Sequence, residues 1–316
     1  MIDVIIPAYN AHNTIYDTLY SISYQSISDL LNVYIVNDAS VKDYSEIVDF
    51  FSNFINVKEL KLDKNSGPGV ARQYGIDNSN SEYIVFIDSD DVFSSTFSLS
   101  TLYKKIKNDN LDIVISNVTE ETTRGFYEKG NNTIWLHGKM YRRSFLEKNN
   151  IRFNLSRQNE DNGFNQQAIL LGAKTDYIDT KTYIWRCNLK SLTRINNYSY
   201  RYDSIFDYIY NVNYALEIAI KKGVNSGEIS DLAFMAMVFI YYIYLEFYEK
   251  DNINNLLMDS KKIYNILKKY KISETRKIEL LEIQYESYYD DDTKSFLLNP
   301  IITFNDFLSL VDEVDS

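Results

Sequence analysis

Tyr83-Ile84-Val85-Phe86-Ile87-Asp88-Ser89-Asp90-Asp91 is a run of five apolar residues that ends in three carboxylates. A short continuous apolar run reads as a strand covered on both faces, the kind that lies inside a parallel sheet. Outward from it the pattern repeats. Strands are expected at Ile2 to Pro7, Val33 to Asn37 and Val57 to Leu62, and helices near Thr14 to Ser26, Tyr44 to Phe54, Val70 to Asn78 and Leu99 to Asn108. Strands alternating with crossover helices predict an α/β fold with a Rossmann-like, mostly parallel central sheet.

A further strand is expected at Asp112 to Val118, followed by a less regular section with β-rich pieces at Gly125 to Glu128 and Thr182 to Arg186. From about Tyr200 the periodicity becomes helical, at Tyr202 to Lys222, Ile229 to Glu249, Ile253 to Tyr270 and Ser273 to Tyr288. This divides the chain into an α/β part, 1–199, and a helical part, 200–316. Leu232 to Leu245 holds no charge, yet its 14 positions fall short of the ~20 that cross a bilayer, so a buried helix or a subunit interface is expected. Its acidic flanks, Asp231 and Glu246, would be repelled by anionic lipid. The charge run Asp290 to Asp292 reads as a solvated turn.

With 316 residues, 45% hydrophobic and 24% charged, the composition is that of a soluble globular protein. The 33 Lys and Arg against 44 Asp and Glu leave a net charge of -11, the wrong sign for a nucleic-acid partner. A lone cysteine, Cys187, excludes an internal disulfide and a thiolate metal cage and points to a reducing, cytoplasmic setting. The first ten residues read as a strand rather than an export signal.

Ligands of an open parallel sheet bind beyond the carboxyl ends of its strands. Four polar clusters fall there: Pro7-Ala8-Tyr9-Asn10, Asp38-Ala39-Ser40, Asn65-Ser66-Gly67 and Asp88-Ser89-Asp90-Asp91. Asp88 and Asp90, two apart on extended chain, point to the same side and are able to share a hard divalent cation; without one, the three acids would raise each other's pKa values. Gly67-Pro68-Gly69 opens a helix whose free N–H groups attract phosphate, with Arg72 in its first turn, and it reads equally as a surface turn with a solvated arginine. Glu160 and Asp161 stand at the entrance of a helix carrying Phe164, Ala168 and Leu171 on one face, and taken alone they read as capping acids.

In this order these residues resemble the family 2 glycosyltransferases, enzymes of the GT-A fold. The resemblance rests on P-A-Y-N at 7–10, V-N-D-A-S at 36–40, N-x-G followed by A-R-x-x-G at 65–75, D-S-D-D at 88–91 and E-D-x-x-F at 160–164, and covers about residues 1–195. Gln73 departs from it, since Asn usually follows the A-R pair. The resemblance implies that Pro7, Tyr9 and Asp38 line the base and ribose pocket, with Asp38 on the uracil edge. It implies that Gly67 and Arg72 contact the nucleotide, Asp88 lies near the ribose and diphosphate, Asp90 ligates Mn2+ or Mg2+, and Asp91 touches the donor sugar. Asp161 would be the catalytic base of an inverting transfer from a UDP-sugar to a hydroxyl of a glycan or glycopolymer.

Positive groups for the diphosphate are sought at Lys139, Arg142, Arg143, Arg186 and Lys190, and 137–143 and the stretch from Trp185 to Thr193, with Ser191, resemble regions that close over it or hold the acceptor. Arg142 and Arg143 read equally as a solvated helix entrance. His137 reads as a further metal ligand, a donor contact or a residue without catalytic duty, and Trp135 and Trp185 as sugar platforms or core. The helical part is expected to bind acceptor or build a homo-oligomer, and peripheral association with a membrane is left open. The rival readings are a silent nucleotide-sugar-binding or assembly module, a nucleotidyltransferase, for which no glycine-rich basic loop follows the first strand, and a sugar transferase acting on modified DNA.

Overall fold

A computed structural model describes residues 1–130, 134–188, 200–288 and 300–314. The chain divides into two compact units, Met1–Ser191 and Leu192–Ser316. The expected boundary at 199, Lys190, Ser191, Thr193 and the run Asp290 to Asp292 lie outside the described residues.

The first unit is built on one mixed sheet. Its strands are β1 (Ile2–Ala8), β2 (Leu31–Asn37), β3 (Asn56–Lys61), β4 (Tyr83–Phe86), β5 (Val92–Phe93), β6 (Ile113–Thr122), β7 (Gly125–Lys129), β8 (Lys139–Arg142) and β9 (Thr175–Trp185). They lie in the order β3-β2-β1-β4-β8-β6-β9-β5, with β7 also paired to β6. The first four pair in parallel. β8 enters antiparallel between β4 and β6, with Tyr83 opposite Arg142 and Ile113 opposite Tyr141.

Helices cover both faces, as the continuous apolar strands require. Ile2, Val4, Ile6, Val33, Ile35 and Val85 face a core with α1 (Ile15–Ser23), α2 (Ser45–Phe51) and α4 (Ser98–Asn108). Ile5, Val36, Ile84 and Phe86 face a second core with α3 (Pro68–Asp77), α5 (Arg143–Asn149) and α6 (Glu160–Leu170). Strict alternation along β1, β2 and β4 therefore separates the two cores.

Gly75 lets α3 lie directly on the sheet, since a Cβ there would stand 2.5 Å from Ile5 Cγ2 and 3.2 Å from Val36 Cγ2. Gly75→Ala is expected to lower stability by about 1–3 kcal/mol through overpacking, read from the denaturation midpoint; an unchanged midpoint would show that α3 shifts without cost.

The structure overturns both readings of Arg142 and Arg143. β8 runs antiparallel, so it carries Lys139 toward the carboxyl-end rim of β4 and delivers these two arginines to the opposite, amino-end rim. There Arg143 donates to Asp3 Oδ2 (2.9 Å), Ser79 Oγ (2.7 Å) and the Ser81 and Ile76 carbonyls (2.7 and 2.9 Å). Arg142 donates to the Leu111 carbonyl (2.8 Å) and lies over the Tyr83 ring. Both brace the far side of the sheet.

The second unit is helical: α7 (Tyr200–Lys221), α8 (Ser226–Phe247), α9 (Ile253–Lys269), α10 (Glu274–Tyr288) and α11 (Phe304–Glu313). By length and composition α8 is apolar enough to cross a membrane, and here it is the core helix of its unit. Phe234, Met237, Ile240 and Leu245 are buried where it meets α7, α9, α10 and α11. Asn225 caps its start, Arg276 of α10 pairs with Asp231, and the Tyr241 hydroxyl donates to the Ile302 carbonyl. α11, absent from the sequence expectation, starts with a capping box between Thr303 and Asp306.

Candidate active site

β4 ends at Phe86 and delivers Asp88, Asp90 and Asp91 to the carboxyl-end rim. Asp91, 1% exposed, is held on both oxygens. The Tyr183 hydroxyl donates to Oδ2 (2.6 Å) and the Arg186 backbone N–H to Oδ1 (2.8 Å), while Thr18 Oγ1 donates to its carbonyl (2.7 Å). His137 Nε2 lies 3.6 Å from Asp88 Oδ2 and 4.0 Å from Asp91 Oδ2. Its ring stacks on Tyr183, with Trp185 and Trp135 alongside, and its Nδ1 is buried without a partner. One ligand atom each of Asp88, Asp91 and His137 lies within 4.8 Å of the others. Asp90 stands half-buried beside them, its Oδ2 accepting from Asn188 Nδ2 (2.7 Å).

Burial first, and then this crowding of carboxylates, sets the electrostatics. Burial, with Asp88 and Asp90 adding to it, pushes Asp91 up to about 8 against the opposing His137. Burial and the Asp88 charge also raise Asp90. Asp88 goes the other way: despite burial, Arg72 and His137 hold its carboxyl well below the usual range. The Asp88 and Asp91 charges raise His137 in spite of its burial. Oxygen donors from several acids, joined by one imidazole, suit a hard divalent cation such as Mn2+ or Mg2+, which would relieve the repulsion that lifts Asp90 and Asp91.

Arg72 is buried, not solvated. Its Nη1 donates to Glu160 Oε1 and its Nη2 to Asp88 Oδ1, both at 2.6 Å. The second acid cluster therefore meets the first through one guanidinium. Glu160 reaches Arg72 because Gly69 leaves room, since a Cβ there would lie 2.9 Å from Glu160 Cγ. Asp161, next in the first turn of α6, is half-buried, its Oδ1 accepting the Asn162 N–H (2.7 Å). Burial lifts its pKa, against the pull of Arg72. Lys139 is 1% exposed and donates to the Trp135 carbonyl. Burial pushes it down to about 7, opposed by Asp161.

On the other side of the rim, Pro7 is buried within β1 and Tyr9 is exposed beyond it. Asp38 is buried, with Oδ1 accepting the Ser66 N–H (2.7 Å) and Oδ2 the Gly67 N–H (2.9 Å). It thus ties the end of β2 to the start of α3, where Gly67 takes the left-handed φ of +92° that permits the turn. The Asp38 N–H donates to the Ala8 carbonyl (2.9 Å), so the first two clusters are adjacent. The Arg186 guanidinium pairs with Asp17 and Glu121 at the edge of the acid group.

Sequence reasoning did not find Tyr183, Asn188 or the pairing of Glu160. The first had a signal, since alternation through Thr182 to Arg186 places Tyr183 and Trp185 on one face; the other two pairings are long-range and leave none.

The family model described as Glycosyl transferase family 2 matches residues 3–159. Glycosyltransferase GlyA of Streptococcus pneumoniae is 28% identical over 223 residues, 61% of this chain and 32% of its own length. Poly(ribitol-phosphate) beta-N-acetylglucosaminyltransferase TarP of Staphylococcus aureus is 29% identical over 201 residues, 56% of this chain and 61% of its own. The chain thus spans between a third and three fifths, roughly, of these relatives. Among solved structures, S. aureus TarS 1-349 in complex with UDP-GlcNAc matches with TM-score 0.69 and 18% identity over 92% of this chain and 93% of that one. Mannosyltransferase PcManGT of Pyrobaculum calidifontis, in complex with GDP-Man and Mn2+, matches with TM-score 0.54 and 13% identity over 98% and 85%. The ordered rim motifs, the mixed sheet and these likenesses agree: the chain has the GT-A fold and belongs to glycosyl transferase family 2.

Proposed function

We propose that this protein transfers a sugar, with inversion, from a UDP-sugar to a hydroxyl of a glycan or glycopolymer, with Mn2+ or Mg2+ bound at the β4 acids. The observation that carries this reading is Arg72, whose two 2.6 Å contacts bring the β4 acids and the entrance of α6 into one site. The names of the relatives, glycosyltransferases that include glycopolymer enzymes, support it, as does the UDP-GlcNAc in the TarS structure.

Asp161 would remove the acceptor proton as the hydroxyl oxygen bonds to sugar C1 and the C1–phosphate oxygen bond breaks, its electron pair leaving with UDP. A single base on the face opposite the diphosphate gives one displacement and hence inversion. Asp90, the half-exposed acid, would face the diphosphate, with Asp88, Asp91 and His137 closing the protein side of the cation site. The cation, when bound, supplies positive charge to the departing diphosphate. Pro7, Tyr9 and Asp38 would hold the base and ribose, and Gly67 and Arg72 would lie along the nucleotide. Lys139 and Arg186 would add positive charge on the donor side. We assign acceptor recognition to residues 200–316, and a cytoplasmic setting fits the lone Cys187.

The test is a thermal-shift screen of nucleotide sugars with and without Mn2+. A UDP-sugar at a hundred times its Kd should add about 2.7 kcal/mol of stability, and only with the cation present. Absence of a shift with every UDP-sugar, together with no UDP release, would reject the reading.

A further inference from the structure

We propose that Arg72 and Glu160 are positioning residues, a buried tie that fixes where Asp161 stands relative to the carboxylates at the end of β4. The kinetic part of this inference rests on the proposed transfer; the structural part stands without it.

A guanidinium is a rigid planar fork, so it holds two carboxylates in a set relation that a lysine, a single point charge, does not reproduce. Nη1 meets Glu160 Oε1 and Nη2 meets Asp88 Oδ1, each at 2.6 Å. The Arg72 and Glu160 side chains are 6% and 9% exposed, so water screens their contact little. Asp88 gives its other oxygen to the side of His137. The tie therefore runs from the cation group through one guanidinium to the first residue of α6, and Asp161 is the second.

Gly69 is part of the device. A side chain there would press on Glu160 Cγ at 2.9 Å and on its Cβ at 3.0 Å, near the backbone rather than at a flexible tip. Alanine at 69 therefore dislodges Glu160 without altering any charge.

The experiment compares Glu160→Ala, Glu160→Gln and Gly69→Ala with the wild-type chain, by steady-state transfer and by hydrogen exchange of α6. Glu160→Ala and Gly69→Ala should each lower kcat about 30-fold or more while KM for the UDP-sugar stays within about 3-fold. Glu160→Gln, which keeps an acceptor oxygen for Nη1, should recover to within about 5-fold of wild type. Amides of the first α6 turn should exchange about 10-fold faster in the first two variants and near the wild-type rate in the third. A raised KM with unchanged kcat would mean that the Arg72–Glu160 tie serves nucleotide binding alone and not the placement of Asp161, and would overturn the proposal, as would unchanged exchange in both Glu160→Ala and Gly69→Ala. If Glu160→Ala does not fold, Gly69→Ala decides. If the wild-type chain transfers no sugar from any UDP-sugar, the proposed function falls and the tie stands or falls on exchange alone.

Discussion

Asp161→Asn is expected to lower kcat by about 10³-fold while leaving UDP affinity within a few-fold of wild type. Asparagine matches aspartate in shape, and its carbonyl oxygen still accepts the Asn162 N–H that Asp161 Oδ1 accepts at 2.7 Å, so the start of α6 should hold. What is lost is a group able to take a proton, and a positioned general base contributes about 10²–10⁴-fold. On the proposed reading UDP is held by the β1, β2 and α3 rim, so its binding should not register the change. The pH profile offers a second readout. Burial raises the Asp161 pKa, and a base works only when deprotonated. The acid limb of the wild-type kcat profile should therefore have its midpoint above the ~3.9 of a free aspartate and should be missing from the residual activity of the variant. Undiminished transfer by Asp161→Asn would remove this residue from the base role.

Asp90→Asn should weaken UDP-sugar binding in Mn2+ by about 100-fold, the upper end of the loss from disturbing even an outer partner of a metal ligand, and leave cation-free binding unchanged. Both oxygens of Asp91 are already engaged, by Tyr183 and the Arg186 N–H, and its carboxyl is sealed. Asp90 is half-exposed and held by the Asn188 amide, and on the proposed reading it would hold the cation on the side of the diphosphate. Titration calorimetry of UDP with and without Mn2+ measures the difference. Full Mn2+-dependent affinity in Asp90→Asn, with the loss appearing in Asp91→Asn instead, would move the cation inward to Asp88, Asp91 and His137.

Much of the fold could be read from the chain. Ile2 to Pro7, Val33 to Asn37 and Tyr83 to Ile87 are apolar on both faces, which only a doubly covered strand explains, and each has its helix in place. β8 escaped, because Lys139-Met140-Tyr141-Arg142 has a charge at each end and too few apolar positions to register as a strand. Its Arg142 is satisfied by partners far along the chain, Glu82 and the Leu111 carbonyl, which no local pattern encodes. The same holds in the site. Asp88, Asp90, Asp91 and Asp161 stand out by type and place, whereas the pairing of Arg72 with Glu160 spans 88 positions and requires the absent side chain of Gly69. Arg142 and Arg143 were drawn to the wrong rim because the direction of an unseen strand decides which rim they reach.

The late insertion of β8 has a consequence for how this chain is made. β4 and β6 are both synthesised before residues 139–142, the described strand that lies between them. Until then the edges of β4 and β6 that pair with β8 lack that partner, and bare edges are the template on which other chains add. Closing the gap also joins segments far apart in sequence, a slow kind of step. Losses of this protein to aggregation during synthesis should therefore follow from delayed sheet closure rather than from a weak interior, and faster closure would improve yield without any gain in final stability.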